Sequence, residues 1–375
     1  MNHLSNNRRR SVVFDGYYGM RNVGDDAFCL VADEVARDRW ACKQVSFIAR
    51  GTDLARTDRP VHALLPERAR FRGHVRSAAI PSMIRSGSVV HVGGSTFMQP
   101  LTRHRDQTLL ATVGLVRLHA VAVSVGPFAD IAAADGVRKI LSRFASVSVR
   151  DGASQERLRE LMPDLKVTLG FDVAVLLEPD ESAHEEWPDG PSPTRGPVIG
   201  VTVCAHETER GGDALQERSR FERTLECVDR AAQATGALVR ILVFNDHERW
   251  GDTALSLEMA SRLQCPTEVV QRTRDPREML AAVAGCDVVI ATRLHSAIFA
   301  YASRIPFVVI SYQQKGIDVA ERMGLPDARV LGPWGPEPAE GAQQIVSLMS
   351  GPDQAEILPV EEARRLALES FPPRL

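Results

Sequence analysis

Val288-Val289-Ile290-Ala291-Thr292-Arg293-Leu294-His295-Ser296-Ala297-Ile298-Phe299-Ala300-Tyr301-Ala302 holds a change of period. Val288–Ala291 is a short unbroken run of β-branched and apolar residues, the signature of a parallel strand covered on both faces. Leu294–Ser303 has the composition of a buried helix. Arg293 and His295 fall in the turn between them, with Leu294 pointing to the core. A strand running into a helix through a turn that carries chemistry is the repeating unit of a doubly wound α/β fold, whose ligands bind beyond the carboxyl ends of the strands.

The same alternation extends in both directions. Toward the amino end, Ser11–Asp15, Val45–Ala49, Ser88–Val92, Ala120–Val125 and Ala145–Val149 read as strands. Asp26–Arg39, Asp106–His119, Ala134–Arg143 and Gly152–Leu161 read as the helices between them. Around the opening segment, Val198–Val203, Leu238–Phe244, Glu268–Val270 and Phe307–Ser311 are further strands. Ala214–Thr235, Thr253–Leu263, Pro276–Ala284 and Lys315–Met323 are helices. The Pro-rich, polar stretch 178–197 has no core-forming period and reads as a linker. The sequence therefore predicts an N-terminal Rossmann-like domain over 1–177, a second over 198–350, and a tail over 351–375 with a helix at Val360–Ser370. Two such domains facing each other predict a cleft lined by the loops at the carboxyl ends of the strands.

The 375 residues suit two cores rather than one. A net charge of -3 gives the whole molecule no electrostatic reason to bind nucleic acid. Six scattered cysteines without a Cys-x-x-Cys pair argue against a zinc ribbon or a disulfide framework and predict buried free thiols. No metal or cofactor is expected. The apolar run Ser11–Phe14 is too short for a signal-peptide core, and no stretch reaches the roughly 18 apolar residues of a membrane span. A cytoplasmic protein is expected, with peripheral membrane contact left open.

Four more segments come directly after strands. Gly16-Tyr17-Tyr18-Gly19-Met20-Arg21-Asn22-Val23-Gly24-Asp25-Asp26 opens the first helix. Its glycines, Gly19 and Gly24 among them, permit a sharp turn and close approach to a ligand. Asn22 and Asp25 fit a helix cap whose exposed N–H groups favour an anion. The spacing is neither a P-loop nor Gly-x-Gly-x-x-Gly. Gly93-Gly94-Ser95 comes after the third strand, Ser148-Val149-Arg150-Asp151 ends the fifth, and Ser311-Tyr312-Gln313-Gln314-Lys315 comes after the last. Arg150 fits either the grip of a carboxylate or phosphate or an internal pair with Asp151 or Asp172. Lys315 at a helix start opposes the macrodipole, a conflict that a bound anion resolves; a solvated surface lysine is the plainer alternative.

Together these segments resemble the polysaccharide pyruvyl transferase family. The likeness rests on Gly16–Ala27, Gly93–Gln99, Ser148–Ser154, Asp172–Ala174 and Arg293–His295, in order, from about residue 12 to about residue 325. Ser95 stands where the family has the third glycine of a triplet, Pro100 where an acidic residue is usual, and Gln313 where a Tyr-Asp-x-Lys element has its aspartate. The resemblance implies a fold similar to the glycosyltransferase B-type, with the acceptor on the N-terminal domain and the donor on the second. It implies phosphoenolpyruvate as donor and a sugar-containing acceptor whose diol becomes a pyruvate ketal: a glycan, a glycolipid precursor of the cell envelope, or a small sugar-containing metabolite. Within that chemistry His295 is the acid–base candidate, since imidazole works near neutral pH. Asp25 and Asp172, with Asp26 beside the first, are candidates for positioning or deprotonating the acceptor. Arg293, Arg150, Lys315, Gly19, Asn22, Gly24, Gly93, Gly94 and Ser95 are the candidate binding residues. A nucleotide-sugar glycosyltransferase and a non-catalytic relative that binds a glycan or a partner enzyme are the competing readings.

Overall fold

The computed structural model describes residues 11–68, 70–71, 73–179, 196–205, 212–351 and 355–375. These form two units: residues 11–20, 25–176 and 361–375 make the first, and residues 21–24 and 177–360 the second. The expected linker lies outside the described residues except at its two ends.

The first unit runs β1 (Ser11–Asp15), α1 (Val23–Asp38), β2 (Gln44–Arg50), β3 (His62–Leu65), α2 (His74–Ser86), β4 (Ser88–Val92), α3 (Thr102–Thr112), β5 (Arg117–Val123), α4 (Ile131–Leu141), β6 (Phe144–Val149), α5 (Gly152–Leu161) and β7 (Val167–Leu169). Its seven strands are parallel in the order β3-β2-β1-β4-β5-β6-β7. Strand order reverses between β1 and β4, where Val13 pairs with Val89 and Asp15 with His91. The central strands are largely buried because both faces are covered, and β4 is buried from end to end. Val89, Leu118, Val123 and Val147 meet Val137, Leu141 and Leu158 of the helices in one core.

The second unit runs β8 (Val198–Val201), α6 (Ala214–Thr235), β9 (Leu238–Leu242), α7 (Thr253–Arg262), β10 (Thr267–Val270), α8 (Pro276–Ala284), β11 (Val288–Ala291), α9 (Leu294–Ala302), β12 (Phe307–Ile310), α10 (Gln314–Met323), β13 (Val330–Leu331) and α11 (Pro338–Ser350). Six parallel strands take the order β10-β9-β8-β11-β12-β13, with the reversal between β8 and β11. Local sequence sets the helix ends. Asp213 accepts from Leu215 and Gln216 N–H at the start of α6, and Gly236 closes it in the left-handed conformation. Asp275 and Pro276 start α8. α9 buries every residue from Ser296 to Ala302, so it packs on all sides.

The last helix, α12 (Val360–Glu369), leads the tail back to the first unit. Ser148 Oγ donates to Ser370 O at 2.8 Å, Trp40 Nε1 donates to Pro372 O at 2.9 Å, and the Phe371 ring meets Trp40 edge-on. All six cysteines are free, and five are buried. Among the described residues no helix is long and apolar enough to cross a membrane.

Several elements differ from the sequence reading. The helix expected over 106–119 is α3, which stops at Thr112 because Gly114 turns the chain with a φ of 73°. Arg117–His119 then join β5. β3, β7, β13, α2 and α11 had not been expected. The three strands are short and only partly buried at the sheet margins, so no apolar run marks them. α2 carries Pro81 and buries only Ala79, Met83 and Ser86, which hides its period.

Candidate active site

The reversal point of the second sheet is where Arg293 and His295 lie. Thr202 comes after β8, Arg293 after β11, and the two loops are neighbours because those strands pair. Thr202 Oγ1 accepts from Thr292 N at 2.9 Å and from Arg293 N at 3.2 Å, and lies 3.0 Å from Ser296 Oγ. Ser296 Oγ donates to Arg293 O at 2.6 Å. One buried hydroxyl therefore ties down the whole strand-to-helix turn. Arg293 occupies the position before α9 and its side chain makes no cap bond. It reaches instead across the loop to Asp252, on which it docks through Nε at 2.9 Å and through Nη2. Asp252 is fully buried. Burial pushes its carboxyl up, against the lowering effect of Arg293.

Residues 21–24 of the first motif belong to this unit and fix the other side of His295. Asn22 bridges Asn245 antiparallel, Val23 N donates to Phe244 O at 2.9 Å, and Asp246 N donates to Arg21 O at 3.1 Å. Arg21 grips Asp246 through both Nε and Nη2, at 3.1 and 2.9 Å. Asn22 Oδ1 turns back to accept from Gly24 N at 3.0 Å. This anchoring lays Gly24 against the imidazole of His295: a Cβ built on Gly24 would lie 1.8 Å from His295 Nδ1. The glycine is needed for that close approach.

Lys315 sits in the first turn of α10, beside the loop after β12. Arg293, Leu294, Ser311, Tyr312 and Lys315 line a niche of about 20 Å³ between the starts of α9 and α10. That volume admits little more than one water-sized group. It is too small for a whole substrate. Tyr312 forms part of its wall, with its hydroxyl 3.2 Å from Cys204 Sγ and the Arg220 guanidinium 4.9 Å from its ring centroid. Burial pushes both the phenol and the thiol up, so both are protonated at neutral pH. An open concavity of about 940 Å³ is lined by Arg21, Asp246, His247, Arg249 and Gly251.

The remaining candidates lie in the first unit. Gly19, Gly93 and Gly94 all have positive φ, at 72°, 63° and 71°. Gly93 also faces Phe28, whose ring would lie 2.5 Å from an added Cβ, so packing alone explains that glycine. Gly94 and Ser95 sit beneath Tyr17, whose hydroxyl reaches Ser95 O at 3.5 Å. Asp25 is partly exposed in the first turn of α1, where a carboxylate suits the helix dipole, and Asp26 is buried.

Arg150 and Asp172 are brought together in the first unit, but with each other. Arg150 is 2% exposed, and its Nη1 donates to Asp172 Oδ2 at 2.6 Å. Its Nε donates to Ser124 Oγ at 2.8 Å, Ser124 Oγ donates to Asp151, and Asp172 Oδ1 accepts from Ala174 N. The internal pairing weighed from sequence is the one present. The expected anion grip of Arg150 and the acid–base task of Asp172 have no exposed group in this structure to carry them. Asp252 and Thr202 were absent from the sequence candidates. Thr202 was open to discovery, as a hydroxyl residue directly after the first strand of the second half; Asp252 reads as an ordinary helix cap. Among the described residues no three His, Cys, Asp or Glu side chains cluster in a way that could hold a metal ion.

The amylovoran biosynthesis protein AmsJ of Erwinia amylovora is 25% identical over 302 residues, covering 75% of this chain and 69% of that protein. UDP-GlcNAc 2-epimerase from Methanocaldococcus jannaschii has a similar structure, with a TM-score of 0.59 at 8% identity over 95% of this chain and 97% of that one. A putative UDP-N-acetylglucosamine 2-epimerase from Listeria monocytogenes gives a TM-score of 0.59 at 12% identity over 96% and 94%. The two structural likenesses bear on fold alone, and the fold class is the glycosyltransferase B-type, with two parallel α/β sheets in one chain. Residues 22–314, from the Asn22 turn to the start of α10, match the polysaccharide pyruvyl transferase family, and the chain belongs to that family.

Proposed function

We propose that this protein transfers the enolpyruvyl group of phosphoenolpyruvate to a sugar diol, giving a pyruvate ketal and inorganic phosphate. The observation that carries the reading is Arg293 on the wall of the niche, with His295 two residues on in the same strand-to-helix turn, at the reversal point of the second sheet. Family membership and the likeness to a polysaccharide biosynthesis protein support a role in polysaccharide biosynthesis, and hence a sugar-containing acceptor.

In this reading the niche takes one oxygen of the donor's anionic groups. Arg293, Lys315 and the amino ends of α9 and α10 supply donors and positive charge. A proton is added to the donor's methylene carbon and one sugar hydroxyl bonds to the adjacent carbon. The second hydroxyl then replaces the phosphate at that carbon, which closes the ketal; the hydroxyl protons pass to the base and to phosphate. His295, held against Gly24, is the group placed for proton transfer. Asp25 is the remaining carboxylate candidate for the acceptor, with Gly19, Gly94 and Ser95 shaping its loop.

Phosphate release from phosphoenolpyruvate, measured with purified protein and a panel of sugar diols, tests the reading. Acceptor-dependent release that disappears in His295→Ala is the expected result. Protection of the protein by uridine or guanosine diphosphate, with phosphoenolpyruvate inert, would overturn it in favour of glycosyl transfer.

A further inference from the structure

Asp252 is placed where an aspartate ordinarily caps a helix with its carboxylate, immediately before α7. It makes no such bond. Its backbone is pinned at both ends, its N–H donating to Asn245 O at 2.6 Å and its carbonyl accepting from Ser256 N at 2.9 Å. Its side chain has no surface, and both carboxylate oxygens accept from Arg293. Arg293 engages both carboxylate oxygens, and the backbone of Asn245 is the further group that holds the carboxyl down.

Stability does not account for this pair. Removing a carboxylate from water is costly, and a buried ion pair often gives no more stability than apolar residues of the same volume. Asp252 is subject to that cost, since burial pushes its carboxyl up despite the guanidinium of Arg293 beside it. The pair supplies orientation instead. Of five guanidinium donors, Nε–H and one Nη2–H are fixed on Asp252, which turns the Nη1 edge away from it. The same carboxylate offsets the charge of Arg293.

We propose that Asp252 is a positioning residue, which aims the Arg293 guanidinium at one oxygen of the anionic substrate and tempers its charge, so that Arg293 contributes geometry more than affinity. The identity of that anion as phosphoenolpyruvate rests on the pyruvyl-transfer reading. The division of labour has a kinetic signature. Losing the carboxylate leaves an uncompensated cation, which binds an oxyanion at least as well, while the aim required in the transition state is lost.

Asp252→Asn tests this, with Asp252→Ser as a smaller second variant should the first fail to fold. Three quantities decide it: kcat and KM for phosphoenolpyruvate, the Kd of inorganic phosphate by calorimetry, and hydrogen exchange of Arg293 Nε–H by NMR. The expected result is a kcat lowered ~10-fold or more by misplacement of Arg293, inorganic phosphate bound as tightly as by the wild type or more tightly, and faster Nε–H exchange. An unchanged kcat, or phosphate affinity falling in step with the melting temperature, overturns the proposal. Should the wild type release no phosphate from phosphoenolpyruvate with any acceptor, the pyruvyl-transfer reading fails by itself. Phosphate affinity and Nε–H exchange then decide the role of Asp252, and weaker binding or unchanged exchange sinks it.

Discussion

The imidazole of His295 rests on the bare α-carbon of Gly24, so close that a Cβ there would fall 1.8 Å from Nδ1 and 2.2 Å from Cε1. A methyl group cannot share that space, and the ring must swing away. Gly24→Ala should therefore act as a His295 mutation at a distance. The expected loss in turnover is ~10²-fold or more, the scale of a displaced acid–base group. The backbone of Gly24 is not in the left-handed region, so the cost to the fold should stay within the 1–3 kcal/mol typical of overpacking. Steady-state kinetics beside a melting curve checks both. A fully active Gly24→Ala enzyme would remove the imidazole from the mechanism or its position from this contact.

That contact also marks how far sequence alone reaches. The central strands were legible because each is a continuous Val-rich run buried on both faces, as in Ser88–Val92 and Val288–Ala291. β7 and β13 were not, since three and two partly buried residues make no run. In the site, Arg293 and His295 announced themselves by type and by place after a strand. Asp252 lies 41 residues from Arg293 and Thr202 lies 91 residues away, and nothing local to either points to the pairing. Only strand order brings them together. Gly24 was legible as a turn glycine but not as the seat of His295.

The Arg293–Asp252 pair predicts a pH dependence. Burial raises the Asp252 carboxyl, and Arg293 is the main influence holding it down. Arg293→Met removes that influence and moves the folded-state value further up. A carboxyl raised in the folded state contributes stability below its unfolded value and loses it as pH rises through the folded one. The variant should therefore approach wild-type stability in acid and fall behind it toward neutral pH. Breaking a fully buried pair costs about 3–5 kcal/mol; the partial exposure of Arg293 places this deficit at the lower end or beneath it. Urea midpoints at acidic and neutral pH give the difference, and a deficit that shrinks as pH rises would contradict the account.

Arg150 and Asp172 should behave as framework. Both are buried, at 2% and 1% exposure of their side chains, and joined at 2.6 Å. Arg150→Met leaves an uncompensated buried carboxylate and should cost about 3–5 kcal/mol. Arg150→Met combined with Asp172→Leu should recover most of that loss, because the charge left stranded is gone. The affinity of the folded single variant for inorganic phosphate should equal that of the wild type. A large loss of phosphate affinity without loss of stability would restore Arg150 to the binding site.

Thr202 gives the most discriminating test of how the turn is held. Its hydroxyl accepts from Thr292 N and Arg293 N and meets Ser296 Oγ, so it serves three partners with one atom. Thr202→Val keeps the shape and removes the acceptor, leaving two buried N–H groups of the turn without it. The expected cost is about 1–3 kcal/mol for the unsatisfied groups. Because Arg293 and His295 ride on the same turn, kcat should fall as well, beyond what the fraction of unfolded protein explains. Thr202→Ser restores the hydroxyl and gives up only a methyl group, and should recover most of both losses. If the serine variant is stable yet as slow as the valine variant, the methyl group and not the hydrogen bonds would be what sets the turn.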